Sequence, residues 1–237
     1  SPLASEPATL AWTLDFEKVG PVPGTTSHLL GIAALYELAA ALAGPAGSAV
    51  RGDLDRLPAA VGETTAACWP TAVEHAAQFG RDLPVLLLGY GPTMSATRYT
   101  SRKLMELSQV VAISQETEEY AHDEYSAIDD RWRVTMFAPD DGGRARTLEV
   151  AGYLRRLGVD LAAICDAGSA DALDGVCDHV YATATTPTSL TPFVQAVPGQ
   201  ILSVQAARRT EGSLYGVDHP TRAADGEPQI YESAVVL

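Results

Sequence analysis

Three side-chain groupings in this chain are able to do acid–base or ligand-binding work. The stretch "LLLGYGPTMSATRYTSRKLMEL" (86–107) passes from an apolar block through Gly89-Tyr90-Gly91 into a helical pattern. That pattern carries Thr93 and Ser95 in its first turn and Glu106 at its end. Glycines let a backbone close on a ligand, and N–H groups at a helix start bind anions. The same residues also suit an ordinary tight turn with Thr93 as N-cap, and Gly-x-Gly is neither a full dinucleotide fingerprint nor a P-loop. Glu106 sits where a carboxylate is mildly unfavourable against the helix dipole, so it is either a solvated residue or one held for chemistry. In "TEEYAHDEYSAID" (117–129) five acidic residues surround His122. A histidine lying between Glu119 and Glu124 would have its imidazolium stabilised for acid–base work; the alternative is an exposed surface histidine.

The elements that must position these groups follow from hydrophobic patterning. Near-continuous apolar runs at 83–89, 133–139, 159–166 and 177–183, with a shorter one at 109–114, read as strands covered on both faces. Between them, 28–43, about 55–80, 92–108, 143–157 and 190–212 read as helices. In the fourth of these, Leu148, Ala151, Leu154 and Leu157 recur at helical spacing and Gly158 is the stop. The alternation predicts an α/β fold, a flavodoxin-like, mainly parallel sheet flanked by helices, starting near residue 55, with 83–89 central. Ligands in such sheets bind at the C-terminal strand ends. "GPAGSAVRGD" (44–53) reads as a linker.

Composition excludes several classes. The chain has 237 residues, 46% of them hydrophobic, enough for one large or two small domains. A net charge of −14 and the absence of a Lys/Arg stripe argue against nucleic acid as partner. No apolar run approaches the roughly 20 residues of a membrane span, and the N-terminus lacks a secretory pattern, so no membrane partner and a cytoplasmic location are expected. Three cysteines, Cys68, Cys165 and Cys177, show no CxxC spacing; Cys165 and Cys177 could pair, but reduced core thiols fit better. No zinc-site spacing is present.

The order strand, Gly-x-Gly, helix ending in Glu106, short strand and acidic turn with His122 sixteen residues after the glutamate resembles the SIS (sugar isomerase) domain family. The likeness is to the isomerase half of glucosamine-6-phosphate synthase and to related deglycases. It implies that "LMEL" supplies the catalytic Glu106 and "EEYAHDE" supplies His122. It extends backwards: "GPVPGTTSHLLGIAALYELAAAL" (20–42) resembles the end of a first SIS domain, with Gly24 and Thr25 in a ligand-lining loop. "LDRLPAAVGETTAACWPTAVEHAAQFG" (54–80) resembles the helical linker. The implied division is residues 1–50 as the C-terminal part of a first SIS domain and 51–237 as a second, with its linker and tail.

The resemblance implies an aldose–ketose isomerase or a deaminase or deglycase acting on a sugar phosphate or aminosugar phosphate. Glu106 would move a proton between C1 and C2 through an enediol or enamine. His122 would serve ring opening, often across a dimer interface. Gly24, Thr25, Gly89, Gly91 and Glu119 would line the substrate, no metal or organic cofactor is implied, and a homo-oligomer is expected. The family's turn commonly reads His-Gly-Pro, where this chain has His122-Asp123-Glu124; Tyr99 replaces an additional glutamate; and the tail after residue 217 lacks the family's lysine. A phosphosugar-binding or scaffold protein that kept the fold without catalysis is the alternative.

Overall fold

A computed structural model describes residues 14–16, 24–210 and 219–220. The chain divides into two compact units, Ser1–Asp55 and Arg56–Leu237. In the first, an Ala/Leu-rich segment of high helix propensity forms α1 (Thr25–Leu42). Gly44, in the left-handed region at φ +58°, ends it. The segment expected to be a linker is instead helical: a 3-10 turn at Gly44–Gly47 leads into α2 (Ser48–Leu54). Gly47 permits this turn because a β-carbon there would lie 2.1 Å from the Ala40 carbonyl oxygen. Arg51 pairs with Glu37 across the two helices at 3.5 Å. The expectation about apolar runs also needs correcting here. Among the described residues, α1 is one helix long and apolar enough, by length and composition, to cross a membrane.

The second unit is built on a five-stranded parallel sheet in the order β2-β1-β3-β4-β5. The strands are β1 (Val85–Gly89), β2 (Ala112–Glu116), β3 (Arg133–Ala138), β4 (Asp160–Asp166) and β5 (His179–Thr183). The middle strand is therefore β3, and not 83–89 as the patterning suggested. The connection after β2 steps over β1, so β3 pairs on its other side, with Leu86 opposite Val134. The edge strand β2 begins three residues later than expected, because Gln109 adopts a left-handed conformation (φ 58°) to end the preceding helix.

Alternation along the strands divides the core into two faces. Leu86, Leu88, Val134, Met136, Leu161 and Ala163 point to one face, under α5 (Thr117–His122) and α6 (Arg144–Leu157), where they meet Tyr120, Val150 and Leu154. The other face is covered by α3 (Leu57–His75), α4 (Met94–Ser108) and α7 (Thr191–Arg209), with α7 packed against both α3 and α4. Gly199 makes the α4–α7 approach possible: a β-carbon there would lie 2.0 Å from Thr100 Oγ1. Gly158, at φ 78°, closes α6 as its position in the pattern predicted. The three cysteines are free and buried.

Candidate functional site

The first element of the site is the turn after β1. Gly89 must be glycine, since a β-carbon would fall 2.3 Å from Thr97 Oγ1, and Gly91 takes φ +52°. Thr93 does not cap α4 through its side chain as the sequence suggested. Its hydroxyl accepts from the Tyr90 N–H (3.1 Å) and donates to the Tyr90 carbonyl (2.8 Å), closing a 3-10 turn at Gly91–Thr93. The Tyr90 phenol reaches across to donate to Asp141, whose carboxylate also accepts from the Gly143 N–H at the start of α6 (2.9 Å). Burial first, and then Asp141, raises the pKa of this phenol, which keeps it a donor.

The second element is the far end of α4. Lys103, only 8% exposed, donates to the Glu106 carboxylate one turn later. Its ammonium lies 5.6 Å from the centre of the Tyr99 ring. The Tyr99 hydroxyl accepts from Gln200 of α7 (3.3 Å), and burial pushes its pKa up to about 12. Glu106 is thus the partly exposed end of a chain Gln200–Tyr99–Lys103–Glu106 that ties α4 to α7. Sequence reasoning did not single out Lys103 as a site residue. The signal that could have found it was the i,i+3 spacing to Glu106.

The third element is the acidic segment, which folds into α5 where a turn was expected. Glu116 caps it, accepting from the N–H groups of Glu118 (2.7 Å) and Glu119 (3.2 Å). Glu118 is bound by Arg146 of α6 (2.7 Å), and Glu124 accepts from Gln115. His122 ends α5 and is exposed, with no ion pair to Glu119 or Glu124 among the described residues. Beside it, between α5 and α6, opens a cleft of about 250 Å³ lined by Tyr120, Tyr125, Arg146, Glu149, Tyr153 and Arg156.

These three elements do not meet at one point within the unit. α4 starts at the C-terminal end of β1 and runs back, so Glu106 lies roughly 18 Å along its axis, level with the strand starts. His122 follows the C-terminal end of β2 and lies on the opposite face of the sheet. Gly89, Gly91 and Glu119 are at the C-terminal edge with it. Gly24 and Thr25, at the start of α1, belong to the other compact unit. Most of the tail in which the family lysine was sought lies outside the described residues.

The topology has a counterpart among known proteins. The SIS domain family model matches residues 84–208. This chain belongs to the SIS domain family. Among solved structures, it is similar to the C-terminal domain of glucosamine-fructose-6-phosphate aminotransferase from Francisella tularensis (TM-score 0.62, 18% identity, 71% of this chain and 47% of that one). A tagatose-6-phosphate ketose/aldose isomerase from Escherichia coli gives a TM-score of 0.56 at 18% identity, over 72% of this chain and 46% of that one. The sugar isomerase domain of an RpiR transcription factor from Sphaerobacter thermophilus gives 0.54 at 16% identity, over 68% and 90%. At these identities the likeness shows a fold of the phosphosugar isomerase kind. The chain spans about half the length of the F. tularensis structure. Curated proteins yield no match.

Proposed function

We propose that this SIS protein acts on a sugar phosphate or aminosugar phosphate, as an aldose–ketose isomerase or a deaminase or deglycase. In this reading Glu106 is the base that shuttles a proton between C1 and C2, and His122 of a second subunit assists ring opening. The observation that carries it is the placement of Glu106: a partly exposed carboxylate at a helix end, oriented by a nearly buried lysine. A helix gains little from such a carboxylate at its C-terminus. Within one chain Glu106 and His122 lie at opposite ends and on opposite faces of the sheet, so the reading requires a homo-oligomer that builds each site from two subunits. Gly89, Gly91 and Glu119 would then line the sugar beside His122. The C-terminal edge of the sheet is rich in acid, with Glu116, Asp140, Asp141 and Asp166, so the phosphate would be held elsewhere than on this edge.

A complementation assay tests this. Glu106→Gln and His122→Asn variants should each be inactive or nearly so as homo-oligomers on the phosphosugar substrate. Mixing them after partial dissociation should restore activity, about a quarter of wild type for a randomly reassorted dimer. Turnover by Glu106→Gln alone at the wild-type rate would remove the proton-transfer role.

A second reading is a phosphosugar-binding regulator, favoured by the similarity to the sugar isomerase domain of an RpiR transcription factor. A binder needs no base, so equal ligand affinity in wild type and Glu106→Gln, with no turnover in either, would select it.

A further inference from the structure

We propose that His75, Asp160 and His179 form a binding site for a divalent transition-metal ion of the zinc type, at the N-terminal edge of the sheet. The residues come from three elements: His75 ends α3, Asp160 opens β4 and His179 opens β5. Their ligand atoms lie within 4.8 Å of one another. Two imidazoles and a carboxylate are donors suited to zinc, cobalt or nickel, and three protein ligands with one open position match sites that keep a water.

The spacing is what argues for an ion. His75 Nε2 sits 3.1 Å from Asp160 Oδ1, a hydrogen bond. His179 Nε2 is 3.9 Å from Asp160 Oδ2, too far for one. His179 is only 9% exposed, and among the described residues neither of its ring nitrogens makes a hydrogen bond. Once the His179 ring turns, an ion at about 2.0–2.2 Å from each ligand would bridge the Asp160 carboxylate and both imidazoles.

The surroundings supply the outer support such a site needs. His75 Nδ1 lies 2.9 Å from the Tyr181 hydroxyl, which is buried in β5. Without metal, that hydroxyl donates to Nδ1 while Nε2–H donates to Asp160. With metal on Nε2, the ring proton moves to Nδ1 and donates to Tyr181, with no change in the charge of the ring. Arg133 is the nearby cation, and its guanidinium is engaged with the carbonyls of Gln78 (2.9 Å) and Arg131 (3.1 Å). The imidazoles of His75 and His179 stack at 4.3 Å with their planes 23° apart. Their in-plane lone pairs converge only if one ring turns, and His179 has the freer path because Phe79 packs edge-on against His75 at 5.1 Å. The ion would fasten the end of α3 to the starts of β4 and β5.

The test uses the whole, tag-free chain treated with chelator and then titrated with Co²⁺ and Zn²⁺. Calorimetry should give one ion per chain at micromolar concentration, and Co²⁺ should develop visible ligand-field bands. Zn²⁺ should raise the thermal midpoint, since it binds the folded state alone. His179→Phe keeps the stacked ring but removes a ligand, and Asp160→Asn keeps an acceptor for His75. Each should weaken Co²⁺ binding by more than about 100-fold, while Tyr181→Phe should cost about 10–100-fold. His122→Asn should leave binding unchanged. Failure of the folded protein to bind Co²⁺ at micromolar concentration, or equal binding by either ligand variant judged folded by circular dichroism, overturns the site.

Discussion

Lys103 and Glu106, one turn apart on α4, form an ion pair whose lysine is almost wholly buried while its carboxylate reaches solvent. An exposed i,i+3 pair contributes about 0.2–0.5 kcal/mol, and here the desolvation of the buried lysine offsets part of the attraction. Lys103→Met fills the same space without the charge, so urea unfolding should show a loss of less than about 1 kcal/mol. If Glu106 is the proton-transfer base, the same variant should lower turnover well beyond what its stability explains. Glu106→Gln should lose about 10²–10⁴-fold while still binding ligand in calorimetry.

Helix α4 approaches α7 as closely as it does because residue 199 has no side chain. Gly199→Ala would push a methyl group to 2.0 Å from Thr100 Oγ1 and 2.6 Å from its methyl carbon. The expected cost is about 1–3 kcal/mol in chemical denaturation. Thr100→Ala removes both of those atoms, so the double variant should recover part of the loss. A coupling energy indistinguishable from zero in this cycle would show that the helices separate freely.

Asp166, at the end of β4, is 6% exposed and accepts from the Asp140 N–H at 2.8 Å. Burial, and the neighbouring charges of Asp140 and Asp141, raise its pKa, opposed by the hydrogen bond from Asp140. A carboxyl whose folded pKa lies above its unfolded value binds more protons when folded, so its ionisation costs stability once the pH is above the folded pKa. Asp166→Asn keeps the acceptor and removes the charge. It should raise the thermal midpoint at neutral pH, and the gain should fade as pH falls through the folded pKa toward the ordinary carboxylate value of 3.8. A gain that grows on acidification would contradict this sign.

Burial pushes the thiols of Cys68, Cys165 and Cys177 up to about 12, leaving almost no thiolate at neutral pH. Iodoacetamide at about pH 7.5, below the free-thiol pKa, should therefore leave the native protein unmodified by mass, whereas three alkyl groups should add in urea. Rapid native labelling of any one cysteine would place it in an accessible environment.

The strands and helices were legible because their signals are local. Apolar runs bounded by Gly, Pro and Asp marked all five strands, and Gly158 marked the end of α6. Where elements shifted, the cause was conformational: Gln109 adopts a backbone geometry usually given to glycine or asparagine, so β2 starts later than its apolar residues begin. The sequence could not rank the strands by position, since β1 and β3 become neighbours only once the chain after β2 passes over the sheet. For the site, Glu106 and His122 were visible as residue types, yet their separation to opposite ends depends on the direction of α4 and the face taken by α5. The His75–Asp160–His179 cluster left no readable spacing at all, because its histidines are far apart in the chain and meet only through α3 and β5.

The position of α7 also has a consequence for how the chain is made. Within the second unit synthesis delivers α3, β1 and α4 first, but the helix that packs against both α3 and α4, and touches β4 and β5, emerges last among the described elements. Until then one whole face of the sheet has an unfilled seam on a nascent, largely parallel and hence slowly assembling structure. Sticky intermediates on the ribosome, and a dependence of yield on chaperone supply, follow from this order of events more than from any weakness of the finished fold.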